Sequence, residues 1–353
     1  MRHHEAGDRT PTLVRQQTVA ETWAEIRQYS RPVSVGTHSY LPDGRRLIGV
    51  FAGGLESGSF KERGAITKML KLRAEGHREA TLFSAGNHLL GAALGARALG
   101  FKVHGFVPWY APQIKIDKSV ALGEGNVTVT RVAGGLEEAR QATLEHAHAN
   151  KKHIIPIMEP YDDADVARGQ GTVLYELLRR NQDIQHVVLP EGGGGLHAGS
   201  MQVVRELGLN AVIHGVKLSE RQELCEGAFV HQLGDVALRM RQENPTLWGE
   251  TLTVDPEDVG AMVALEDAVS LEHSEAMGAA AFYECPEATS LLAPAAAHRF
   301  ASTLDGNVAV VMTGSNADQS KLRILHDLHS AGIESSLQPG FHMASGYQLR
   351  RAA

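Results

Sequence analysis

The chain has 353 residues, 34 of them Lys or Arg and 41 Asp or Glu, for a net charge of −7. Hydrophobic residues at 43% and charged residues at 21% are ordinary globular usage and exclude a disordered or fibrous chain. No apolar run reaches the ~18 residues of a membrane span, and an acidic balance without a Lys/Arg block excludes nucleic acid as the main partner, because phosphate contacts need clustered positive charge. Small polar metabolites are the expected ligands. Cys225 and Cys285 are the only cysteines, too few for a disulfide framework or a cysteine-based zinc site. With no apolar signal core behind Met1-Arg2-His3-His4-Glu5, the cytoplasm is the expected compartment.

The first periodic stretch, Val19 to Tyr29, sets Ala20, Trp23 and Ile26 at helical spacing and reads as a packing arm. From Leu47 onward short apolar runs alternate with helical stretches. Leu47 to Phe51 precedes a helix from Lys61 to Ala74, Thr81 to Phe83 precedes Leu89 to Leu99, and Val103 to Val107 precedes Ile114 to Leu122. Val127 to Val132, a helix from Leu136 to Ala149, Ile154 to Ile157, and a helix from Val166 to Arg180 follow. Val187 to Leu189, Ala211 to Val216 and Val308 to Met312 are further continuous apolar strands. Such alternation predicts parallel sheets with right-handed crossovers, in two domains or one large α/β unit.

Three junctions fall where open α/β sheets place ligands, at the carboxyl ends of strands. In the first, Gly58 to Ala65, Lys61 opens a helix, where the macrodipole depresses an ammonium pKa and favours a nucleophilic amine; a solvated lysine paired with Glu62 or Glu56 is the plainer alternative. The second, Phe83 to His88, offers helix-start N–H groups to an anion and the Asn87 amide to a phenolate oxygen, or is simply a helix cap by Ser84 or Asn87. The third, Leu189 to Leu196, holds Gly192, Gly193, Gly194 and Gly195, whose backbone can wrap a phosphate. A flexible loop is the alternative; a dinucleotide site lacks the acidic residue that should close the next strand, which runs into Lys217.

Taken in order, Ser59 to Ala65, Ser84 to His88 and Gly192 to Leu196 resemble the fold-type-II pyridoxal-phosphate enzymes of the threonine dehydratase and serine racemase branch. Val107-Pro108 through Lys115, Asp162-Asp163 through Gly171, and Thr313 to Asn316 carry the same resemblance, which covers about residues 30 to 330. It implies two open, twisted, mostly parallel sheets flanked by helices: a large domain of residues 1–79 and 159–353, and a smaller inserted domain of residues 80–158. It implies that Lys61 forms a Schiff base with pyridoxal 5′-phosphate and then moves the Cα proton. Phe60, Asn87, Gly192 to Gly195, Leu196, Glu272 and Thr313 would hold the cofactor, with Asn87 on its 3′-oxygen and the Thr313 hydroxyl on its pyridine nitrogen. Ser84, Ala85, Gly86, Asn87 and His88 would bind the substrate carboxylate.

A hydroxyl at the ring nitrogen does not hold it protonated as a carboxylate would, which favours prompt loss of a β-leaving group. The implied activity is therefore elimination from a threonine- or serine-like β-hydroxy amino acid, giving a 2-oxo acid and ammonia. A β- or γ-replacement synthase and a cofactor-binding, non-catalytic homologue are the alternatives. Ala85 replaces the serine that serves racemases as an acid/base, and a methyl carries no proton, so racemisation is disfavoured. Val50 and Ala52 depart from a usual Lys and Glu, Lys217-Leu218 from a usual Glu-Pro that serves cation-dependent members, and Glu275 adds a charge beside Glu272. No metal site is expected: His146, His148 and His153 do not share a helix face and read as solvated. A homodimer or higher homo-oligomer is implied by the resemblance.

Overall fold

The computed structural model describes residues 16–84, 86–149, 153–228, 230, 232–264, 266, 286–330 and 350–351. Helix α1 (Val19–Ile26) opens on a capping box: the Thr18 hydroxyl accepts the Glu21 N–H and the Glu21 carboxylate accepts the Thr18 N–H. It ends before Tyr29, and its buried face of Val19, Trp23 and Ile26 makes it the packing arm that the spacing implies.

Seven strands form the large sheet: β1 (Ser34–Tyr40), β2 (Arg46–Phe51), β6 (Ile184–Pro190), β7 (Val212–Leu218), β8 (Leu252–Val254), β9 (Asn307–Met312) and β10 (Arg350–Arg351), in the order β10-β1-β2-β9-β6-β7-β8. The run β2-β9-β6-β7-β8 is parallel, while β1 lies antiparallel between β10 and β2. A separate parallel sheet holds β3 (Glu79–Phe83), β4 (Lys102–Val107) and β5 (Val127–Arg131). In β9 every residue from Val308 to Met312 is buried, as a strand covered on both faces requires. Ile154 to Ile157 does not become a strand. Ile157 makes one bridge to Thr81, and Pro156 accepts the Thr81 N–H but has none of its own to extend a ladder.

The helices are α2 (Lys61–Ala74), α3 (Asn87–Leu99), α4 (Gln113–Leu122), α5 (Leu136–His148), α6 (Ala164–Leu178), α7 (Gly195–Glu206) and α8 (Asp235–Glu243), followed by helices Ala288–Arg299 and Gln319–Ser330. Leu174, Leu177 and Leu178 put the apolar stripe of α6 into the core beneath the large sheet, each contributing about 1.5–3 kcal/mol by burial. Between α2 and α6 lies a fully buried ion pair, Arg63 Nη2 to Glu176 Oε1 at 2.7 Å. The same guanidinium donates to Thr172 Oγ1 and the Arg31 carbonyl, and stacks 4.2 Å from the Trp23 ring. This network pins the first turn of α2, and with it Lys61. Of the three histidines read as solvated, His148 and His153 are exposed, the latter pairing with Glu79, whereas His146 on α5 is half-buried against the His104 and Phe106 rings.

Candidate active site

One cleft collects the loops that leave the carboxyl ends of β2, β3, β6 and β9, bringing together Phe60, Lys61, Ser84, Gly86, Asn87, His88, Gly192 to Gly195, Leu196 and Thr313. The loops are stitched by backbone bonds: Phe60 N–H donates to the Thr313 carbonyl at 3.1 Å, and Ser59 bridges Gly314. Lys61 is the first residue of α2, and its Nζ donates to the Pro160 carbonyl at 2.7 Å. Burial pushes its ammonium from the usual 10.5 down to about 8, with the nearby Glu287 charge pulling the other way. A surface pairing does not apply here. The Glu62 carboxylate accepts from Ser30 Oγ and the Ser57 N–H, and Glu56 pairs with Arg97.

Helix α3 begins at Asn87, two residues earlier than the sequence pattern suggests, and has no side-chain cap. Its first-turn N–H groups, including those of Asn87 and His88, have no partner within the helix, as at any uncapped helix start, and such groups can bind an anion. Two of the expected donors are engaged elsewhere: Ser84 N–H bonds the Phe106 carbonyl, and Gly86 N–H bonds Ser84 Oγ. Ala85 lies outside the described residues. The Asn87 amide nitrogen donates to both carboxylate oxygens of Glu287, each at 2.9 Å. Buried His88, read from sequence only as a backbone donor, brings its ring into the cleft with Nε2 3.1 Å from the Met158 carbonyl. Burial and then the Lys61 charge push its pKa to about 3, so the ring is neutral and donates from Nε2. Nδ1 is left as a buried acceptor with no partner among the described residues.

At the third junction Gly194 sits at φ +86°, open to glycine at no steric cost, and a Cβ on Gly193 would overlap the Tyr161 ring. Helix α7 starts at Gly195 without a side-chain cap, so its orphan N–H groups open onto the glycine loop. Across the cleft the Thr313 hydroxyl lies 3.3 Å from Ser290 Oγ. Glu272 lies outside the described residues. Among the described residues, the carboxylate that acts on Lys61 in the cleft is Glu287, which the sequence reading missed; its place directly before the Ala- and Leu-rich helix Ala288–Arg299 marks a helix start but not a site.

These groups fit pyridoxal 5′-phosphate. An uncapped helix start behind a loop with no room for side chains suits its phosphate, a buried amine of lowered pKa suits its aldehyde, and a buried hydroxyl suits its ring nitrogen. Residues 54–314 match the family model described as pyridoxal-phosphate dependent enzyme. The chain is 30% identical over 293 residues to threonine dehydratase 2 of Solanum lycopersicum, covering 78% of this chain and 46% of that protein. It is 30% identical over 253 residues to L-threonine ammonia-lyase of Thermotoga maritima, covering 64% and 60%. The chain thus spans about half the length of the curated relatives it matches. Its fold superposes on the processed form of threonine deaminase isoform 2 from Solanum lycopersicum with a TM-score of 0.68 and 27% identity, over 88% of this chain and 93% of that one. The chain belongs to the pyridoxal-phosphate dependent enzyme family, with the fold-type-II architecture.

Proposed function

We propose that the protein catalyses β-elimination on a small β-hydroxy amino acid, releasing a 2-oxo acid and ammonia. The observation that carries this reading is the placing of Lys61 Nζ, with its pKa lowered to about 8, in one cleft with the glycine loop and the Thr313 hydroxyl. The names of the threonine dehydratase and ammonia-lyase relatives support it. When bound, pyridoxal phosphate supplies the conjugated electron sink that lowers the barrier to losing the Cα proton. Lys61 Nζ would hold the cofactor and, as a free amine, would take the Cα proton; an amine titrating near 8 is well matched to that task at neutral pH. The first-turn amides of α3 orient the substrate carboxylate. Thr313, a hydroxyl where a carboxylate would hold the ring nitrogen protonated, keeps the site tuned to losing the β-hydroxyl.

The rest of the proposal concerns organisation. The separate sheet β3-β4-β5 supports an inserted domain of residues 80–158, bearing Asn87, whose closure on residues 1–79 and 159–353 excludes water. No helix among the described residues is long and apolar enough to cross a membrane. The compartment we propose is the cytoplasm, and the family likeness supports an assembly of identical chains. The test is release of 2-oxo acid and ammonia by the cofactor-loaded protein from L- and D-threonine, serine, hydroxyaspartate and phenylserine. Turnover of at least one of them supports elimination. Silence on all of them, while added amino acids still perturb the cofactor absorption, contradicts it and turns the reading to β-replacement.

A further inference from the structure

A relay of side-chain amides runs from α4, beside the small sheet, to the carboxylate next to Lys61. Lys118 Nζ donates to Asn316 Oδ1 at 2.7 Å. Asn316 Nδ2 donates to Asn87 Oδ1 at 3.0 Å and to the Ser57 carbonyl at 2.9 Å. Asn87 Nδ2 in turn donates to Glu287. The two ends of a primary amide have nearly the same shape, so packing does not choose between its orientations; hydrogen-bond chemistry does. An ammonium only donates, so the Asn316 oxygen must face Lys118. A carbonyl only accepts, so the Asn316 nitrogen must face Ser57 and, beside it, Asn87. That arrangement requires the Asn87 oxygen to turn toward Asn316, which leaves its N–H edge on the side of Glu287 and Lys61. Gly58, at φ +76°, packs so tightly on this amide that a Cβ there would come within 2.6 Å of Asn316 Oδ1, so the amide has little room to swing.

We propose that Lys118 is a positioning residue which, through Asn316, fixes the Asn87 amide with its N–H edge toward Glu287 and the cleft, where it would donate to a ring oxygen of the cofactor. Lys118 lies in α4, whereas Asn316 follows β9 of the large sheet, so the same bond links the two sheets' loops across the cleft. Ser57 and Glu287 favour the same orientation without it. Loss of Lys118 therefore weakens the relay rather than abolishing it. The inference rests on family membership and not on the elimination reading, and its test needs no substrate.

The test compares Lys118→Met, Lys118→Arg and Asn316→Asp by titrating pyridoxal phosphate into the cofactor-free proteins. Absorption reads affinity, and induced circular dichroism of the bound cofactor reads its orientation. Lys118→Met, which keeps length and removes the donor, is expected to raise the dissociation constant about tenfold, the scale of one charge-assisted hydrogen bond, and to change the induced dichroism. Its urea midpoint without cofactor should stay at the parent value, because Lys118 is exposed. Lys118→Arg should restore affinity and dichroism together. Asn316→Asp still receives Lys118 but cannot donate to Asn87, so it should lose at least as much as Lys118→Met. Parent-like binding and dichroism in Lys118→Met or in Asn316→Asp overturns the relay, as does a Lys118→Arg variant as weak as Lys118→Met.

Discussion

Replacing Lys61 by Met should stabilise the cofactor-free protein while destroying its chemistry. The folded ammonium titrates at about 8 against 10.5 for an unburied lysine. At about 1.36 kcal/mol per pH unit this difference amounts to about 3 kcal/mol of penalty for a charged Lys61 at pH 7. Water reaching the open cleft screens part of it, and the bond to Pro160 O that Met gives up is worth about 1 kcal/mol, so the net gain is about 1–2 kcal/mol. The sign follows from proton linkage. Between the two pKa values the unfolded state binds more protons than the folded one, so the parent gains stability as pH rises from about 8 to 10.5, and the penalty is fully present below 8. Urea unfolding of the cofactor-free proteins should show Lys61→Met ahead at pH 7 and its lead gone by pH 10.5. A variant no more stable than the parent at pH 7, or a lead that does not shrink with pH, would refute the assignment of a strained, buried ammonium.

Three further outcomes follow from the geometry. Gly193→Ala drives a methyl into the Tyr161 ring, and overpacking of this kind costs about 1–3 kcal/mol; cofactor affinity, read by absorbance titration, should fall with the distorted loop. Glu176→Gln leaves the Arg63 guanidinium buried without its counter-charge and should destabilise by about 3–5 kcal/mol in urea unfolding. Thr313→Asp puts a carboxylate where the ring nitrogen is proposed to lie. It should slow oxo-acid release at least about tenfold relative to exchange of the Cα proton with solvent deuterium, two rates that proton NMR follows in one sample.

The parallel strands and their following helices were legible because each is a continuous apolar run beside a helical period, and β9 shows why: buried on both faces, it has no polar alternation to confuse the reading. Strand β1 was not legible. Its buried positions His38 and Ser39 are polar, and they are held by Glu266 and His298, contacts more than two hundred residues away that no local pattern announces. Lys61, Asn87, the four glycines and Thr313 could be read because each lies within one short strand-to-helix junction. Glu287 could not be read the same way, since its role depends on a carboxylate reaching Asn87 across 200 residues of sequence, and a similar-looking Glu272 offered itself nearby. His88 was half legible. Its place in the loop was clear, but its neutral ring follows from burial that only the packed structure supplies.

The central claim is that Lys61 is the amine that carries the cofactor and gives it up to an amino acid. Borohydride reduction of the cofactor-loaded protein, followed by proteolysis and mass spectrometry, reads this directly. The account predicts a pyridoxyl adduct on the peptide containing Lys61, which disappears when a β-hydroxy amino acid is added before reduction. An adduct on another lysine of the cleft, such as Lys115 or Lys321, or one on Lys61 that no amino acid displaces, would contradict it.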